Sequence, residues 1–136
     1  MRFDFDATGI GSLPFKDAKS ACRAVLDNIQ SIPFWPQLPK RSFLENMYAQ
    51  FAEHLPGVVI DQSRRTIHVE TTGVAETIEE VYGNFLDNNV DFFRISEEFA
   101  AGFYEFLKAL EKPPAGAKYV KGHITGPISY ALSVTD

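Results

Sequence analysis

Phe3-Asp4-Phe5-Asp6-Ala7-Thr8 runs directly into Gly9-Ile10-Gly11-Ser12-Leu13-Pro14. The first half alternates apolar and polar residues, the period of a short strand. The second half is a turn rich in backbone-permissive residues. Asp17 follows and can cap a helix whose apolar face is Ala18, Ala21, Cys22, Val25, Leu26 and Ile29. Pro33 stops that helix. A strand, a glycine turn and a helix in this order open a βα unit, and such units build parallel sheets.

The turn also has chemistry of its own. A Gly-rich strand-to-helix turn aims backbone N–H groups at an anion such as a phosphate or a carboxylate. The dinucleotide fingerprint needs a glycine where Pro14 stands, so that reading is rejected. From spacing alone, a tight turn with no ligand is the plain alternative.

Outward from this segment, the three prolines in Pro33-Phe34-Trp35-Pro36-Gln37-Leu38-Pro39 exclude regular structure. Phe34 and Trp35 could clasp a ligand, but rings in such a loop more often fold onto the core. Ser42 and Glu45 form a capping box for a second helix with Phe43, Met47, Phe51 and Leu55 inward, ended by Pro56-Gly57. Residues 58–60 and 66–70 read as a hairpin around Gln62-Ser63-Arg64-Arg65. A third helix is expected over residues 74–86, through Ile78, Val81, Tyr82 and Phe85. Ser96 is the expected cap of a fourth, with Glu97 and Glu98 in its first turn and Phe99, Phe103, Phe106, Leu107 and Leu110 inward. Pro113-Pro114-Ala115-Gly116 breaks the chain, residues 118–125 read as a strand, and Gly126-Pro127 turns into another helix.

The totals bound the function. The chain has 136 residues, 45% hydrophobic and 23% charged, the profile of an ordinary globular protein. Its 12 phenylalanines require a sizeable core. A net charge of −5 speaks against a nucleic-acid or anionic-membrane surface. The single cysteine, Cys22, cannot form an internal disulfide and fits a reducing compartment. No apolar run suits a membrane span, and the first residues lack a signal-peptide core. A cytoplasmic location is expected.

No paired-carboxylate site, triad or phosphate loop with its lysine can be assembled. His54, His68 and His123 lie apart from one another and from any Cys or acid at metal-ligand spacing, so no metal site is assigned. His54 ends a helix, His68 sits on the outer face of the hairpin, and His123 could point into a pocket. Cys22, on a buried helix face, reads as an inert packed thiol. The pairs Glu79-Glu80 and Glu97-Glu98 read as solvated helix faces or first turns.

Two strings carry a resemblance. Thr8-Gly9-Ile10-Gly11-Ser12-Leu13-Pro14 resembles the Thr-Ile-Gly-Ser-Phe-Pro string that opens the catalytic barrel of cobalamin-independent methionine synthases. Lys121-Gly122-His123-Ile124-Thr125-Gly126-Pro127 resembles a later string of the same barrel, Lys-Gly-x-x-Thr-Gly-Pro. The two occur in the family's order. Pro36-Gln37-Leu38-Pro39, with the stretch from Glu45 to Gly57, is similar to short single-barrel relatives.

The resemblance implies an α/β fold: the N-terminal part of a (β/α)8 TIM barrel of the uroporphyrinogen decarboxylase/methionine synthase type, incomplete, with an inserted β-hairpin. It implies a methyltransferase that moves a methyl group to the thiol of homocysteine. It also implies a zinc ion in the complete enzyme, activating the thiol as thiolate. The implied substrate-binding residues are Ile10, Gly11 and Ser12, which would hold the amino-acid end of homocysteine. The family's zinc ligands come from later strands and are not in this chain.

A complete barrel takes roughly 250 residues, so residues 1–136 are expected to be one fragment of a single domain, inactive alone. Such a fragment is expected to self-associate or to assemble with the missing barrel part. Two departures bear on the donor. The motif begins close to Met1, without the preceding barrel of the long enzymes. Ser133 stands where those enzymes place a Trp that helps hold the folate. Both favour a donor other than folate, with a methylated corrinoid protein as one candidate partner, and leave the donor open. Two further functions compete: a uroporphyrinogen decarboxylase-like enzyme, weakened because only Arg2 and Arg23 precede residue 40, and a small non-catalytic binding module.

Overall fold

The computed structural model describes residues 5–134. The fold is mixed α/β: α1 (Ala18–Asn28), β1 (Val58–Asp61), β2 (Thr66–Val69), α2 (Val74–Leu86), α3 (Ala101–Leu110) and α4 (Pro127–Ala131), with short 3-10 turns between. Asp17 caps α1 as its side chain predicts, accepting a hydrogen bond from Ser20 N–H at 2.7 Å. The inner face of α1 buries Ala21, Cys22 and Val25. It packs against α3 around a core of Cys22, Trp35, Ala100 and Phe106.

The spine of this core is an irregular segment. Residues 33–38 are all buried. Gln37 is bridged in parallel to Ser12, through Gln37 N–H to Gly11 O at 2.7 Å and Leu13 N–H to Gln37 O at 2.9 Å. Phe34 is bridged in parallel to Lys121, through Lys121 N–H to Pro33 O at 2.9 Å. Pro33 and Pro36 have no N–H, so neither pairing can extend into a ladder. They also remove two N–H groups that burial would otherwise require to be paired, which eases placing the segment inside the core. Gly102 of α3 rests directly on this segment; a Cβ there would come within 2.0 Å of the Pro36 carbonyl oxygen.

Several expected elements take a different form. Of the strand at 3–8, Phe3 and Asp4 lie outside the described residues, and residues 5–8 form no strand. The strand expected at 118–125 is reduced to its single bridge at Lys121, since its partner segment is interrupted by prolines. The second helix is replaced by 3-10 turns at Phe43–Glu45 and Ala49–Phe51. Two side chains explain this. Asn46 adopts an extended backbone and its Oδ1 accepts from Tyr48 N–H at 2.9 Å, competing with the helix. Glu45 turns inward and accepts from Leu38 N–H at 3.2 Å instead of closing a capping box. The inward residues are then Leu44, Glu45, Ala49, Gln50 and Ala52, while Met47 and Leu55 are exposed.

The fourth helix starts at Ala101, not after Ser96. Ser96 N–H donates to Glu53 Oε2 at 2.8 Å, and Phe99 O accepts from Gln50 Nε2 at 2.7 Å, so side chains claim the backbone of that turn. Phe106 is buried as expected, Phe103 and Leu110 pack at the core edge, and Leu107 is exposed. The hairpin forms as read, in antiparallel register from Val58↔Val69 to Asp61↔Thr66. Asp61 Oδ1 holds its turn, accepting from Ser63 Oγ at 2.6 Å and Arg64 N–H at 2.9 Å. Helix α2 spans the expected residues, yet it buries no side chain among the described residues. Tyr82, Phe85 and Leu86 are 63%, 69% and 78% exposed, so the apolar face of α2 is open.

Candidate functional site

The glycine turn and the 121–127 string, about a hundred residues apart, meet across the buried 33–38 segment. Lys121 Nζ donates to Gly9 O, tying the second string to the first. Thr8 Oγ1 donates to Ile32 O at 2.8 Å, and Thr125 Oγ1 donates to Met47 O at 2.8 Å. Each string is therefore pinned to the intervening chain by its own threonine.

Gly11 is buried, whereas Ile10 and Ser12 on either side are exposed. Its φ of +135° lies in the region that favours glycine. The parallel pairing uses Gly11 O and Leu13 N–H. Among the described residues, the N–H groups of Ile10, Gly11 and Ser12 donate to no acceptor. A run of free N–H groups at a turn suits an oxyanion. The space beside Gly11 is not open, however. A Cβ there would lie 2.7 Å from His123 Cε1, 2.8 Å from His123 Nε2 and 3.0 Å from Gln37 Oε1. The glycine serves close packing by protein side chains, and any ligand must reach the turn from its exposed side.

His123 stacks on Trp35, with ring centroids 4.1 Å apart and planes 9° from parallel. Phe103 meets the same indole edge-on at 5.4 Å. Both ring nitrogens of His123 are buried with no hydrogen-bond partner. Burial, helped by the Lys121 charge, pushes its pKa down to about 4, so the imidazole is neutral at physiological pH. Gln37 completes the group: its Nε2 donates to Gln50 Oε1 at 2.6 Å. That fixes the amide and turns its Oε1 toward Gly11.

The other candidates stay apart from this group. His54 lies 3.9 Å from Glu53 with its ring against Phe92, and His68 lies 3.4 Å from Glu70 on the hairpin. Cys22 is buried and burial pushes its thiol pKa up, the condition of an unreactive thiol. Among the described residues, no group of three or more His, Cys, Asp or Glu could hold a metal ion. No helix of the described residues is long and apolar enough to cross a membrane.

Sequence reasoning placed Ile10, Gly11 and Ser12 at the turn but missed Gln37, Trp35 and Lys121 as their neighbours. One signal was available: a polar residue, Gln37, inside an otherwise apolar proline-flanked run. No family model, curated protein or solved structure matches the chain.

Proposed function

We propose that this chain is the N-terminal part of a (β/α)8-barrel methyltransferase similar to cobalamin-independent methionine synthases. In the complete protein the bond between a methyl donor and its methyl group breaks, the methyl passes to the sulfur of a thiol, homocysteine, the demethylated donor leaves, and the thiol proton is released. The observation that carries this reading is the meeting of its two strings. The Gly9 carbonyl takes the Lys121 ammonium, and Gly11 packs under His123. Strings that each look like one family's barrel motifs are expected to converge if both line one site. Parallel bridging of the 33–37 segment to Ser12 and to Lys121 agrees with a parallel inner sheet.

In this reading the N–H groups of Ile10, Gly11 and Ser12 hold the carboxylate of the thiol's amino-acid end. The Ser12 hydroxyl adds a further donor. The residues described here do not fit the zinc that the family uses, so the chain's own part is confined to orienting that end of the substrate. The exposed apolar face of α2 supports the expectation of self-association or assembly with further barrel strands.

The test is a titration of homocysteine into the isotopically labelled chain, followed by amide resonances. Saturable shifts at Ile10, Gly11 and Ser12 are expected. Saturable binding that leaves these amides unmoved, or no binding at all, would overturn the reading.

A further inference from the structure

The hairpin carries an arginine at a position whose backbone favours glycine. Arg65 ends the turn between β1 and β2 with φ +57°, in the left-handed region. Its guanidinium lies over the Phe43 ring, 5.4 Å from the centroid. The face of an aromatic ring attracts a cation, so this contact holds a long side chain in place. Phe43, Asn46, Tyr48, Arg65, Thr66 and Ile67 border a cavity of about 310 Å³ beside it.

The charges around Arg65 set it apart. Arg41, Arg64 and Arg94 each hold a carboxylate, at 2.6, 3.7 and 3.0 Å. Arg65 holds none among the described residues, and no Asp or Glu lines the cavity. Asn46 Oδ1 is taken by Tyr48 N–H at 2.9 Å. The Asn46 amide nitrogen and the Tyr48 hydroxyl, on residues of the cavity wall, donate to no acceptor among the described residues. The walls therefore bring donors and one positive charge with no acid to neutralise it. A planar guanidinium offers parallel N–H groups that match the two oxygens of a carboxylate. A single positive charge balances a carboxylate and leaves a phosphate dianion half uncompensated. Phe43, Tyr48 and Ile67 supply apolar wall for the rest of a small ligand.

We propose that this cavity binds a small organic carboxylate with a flat apolar body, its two oxygens paired with the Arg65 guanidinium. The site is independent of the methyl-transfer reading. It requires neither the Ile10–Ser12 turn nor a thiol.

The experiment titrates benzoate, its neutral analogue benzamide and inorganic phosphate into the isotopically labelled chain at constant ionic strength. The Nε–H resonance of Arg65 and the amides of Tyr48 and Ile67 report binding. Benzoate should move them saturably, with benzamide and phosphate at least about tenfold weaker, the scale of one charge-assisted pair. Arg65→Gln should weaken benzoate about tenfold. Arg65→Lys keeps the charge without the fork and should fall between. Arg64→Gln removes a neighbouring charge and should leave benzoate affinity unchanged. Arg65 is exposed, so its variants are expected to fold. If they do not, the comparison of benzoate with benzamide in the native chain decides. Absence of saturable shifts with benzoate, benzamide or phosphate binding as tightly, equal benzoate affinity in a folded Arg65→Gln, or an equal loss in Arg64→Gln would overturn the proposal.

Discussion

The imidazole of His123 occupies the space that a side chain at position 11 would need. This contact joins two parts of the chain that are remote in sequence. It makes Gly11 a structural residue as well as a candidate ligand site. Gly11→Ala is expected to destabilise the chain by about 2–3 kcal/mol, combining positive-φ strain with displacement of the His123 ring. Chemical denaturation of the variant checks this. It also means that Ser12→Ala, at an exposed position, is the better probe of the turn. That variant should weaken homocysteine binding by about 1 kcal/mol, with an unchanged denaturation midpoint.

His123 gives the chain an acid-sensitive contact. Its pKa falls from 6.5 in the unfolded chain to about 4 in the fold. Below pH 6.5 the unfolded chain therefore binds a proton that the folded chain refuses. Stability is full above that pH and declines as pH falls toward about 4. The decline is at most about 3 kcal/mol, and less where solvent reaches the half-buried residue. The carboxyls of Asp6, Asp17 and Asp61 are held below 3.8 by hydrogen bonds from Lys118, Ser20 and Ser63, so their losses come at lower pH. Urea midpoints measured across this range should fall less in His123→Phe than in the native chain, because the His123 contribution is gone while the raised pKa of Glu45 adds a gain toward lower pH in both.

Glu45 is a buried carboxylate, fully covered, that braces the 33–38 segment. It accepts from Leu38 N–H at 3.2 Å and from the Arg41 guanidinium at 2.6 Å. Burial pushes its pKa up, and Arg41 and the backbone donors pull it back. Glu45→Ala leaves the Leu38 N–H unpaired and is expected to cost about 2–3 kcal/mol. Glu45→Gln keeps an acceptor in place and should lose less. Equal losses for the two variants would mean that packing, not the hydrogen bond, holds this corner.

The open face of α2 should drive association. Ile78, Tyr82 and Phe85 follow helical spacing and are all exposed. Sedimentation of the native chain is expected to show a concentration-dependent rise in mass. A Tyr82→Lys, Phe85→Lys double variant should remain monomeric. A native chain that stays monomeric throughout would remove α2 as an association surface.

The sequence by itself determined the local elements. Asp17 set the start of α1 because a carboxylate at a cap needs only the next turn's N–H. The apolar period of α2 and the hairpin of β1 and β2 around their polar turn likewise depend on neighbours a few residues away. Pro33 and Pro36 excluded a regular element between them by their missing N–H groups. What the tertiary structure alone decided is where the polar groups turn. Glu45 reaches Leu38 instead of Ser42. Gln50 and Glu53 take the backbone groups that would have started α3 earlier. His123 lies over Gly11 with no hydrogen-bond partner. These outcomes depend on which buried donor or acceptor is left without water once distant segments pack together. That competition is settled by contacts between segments, so no local pattern of residues contains it.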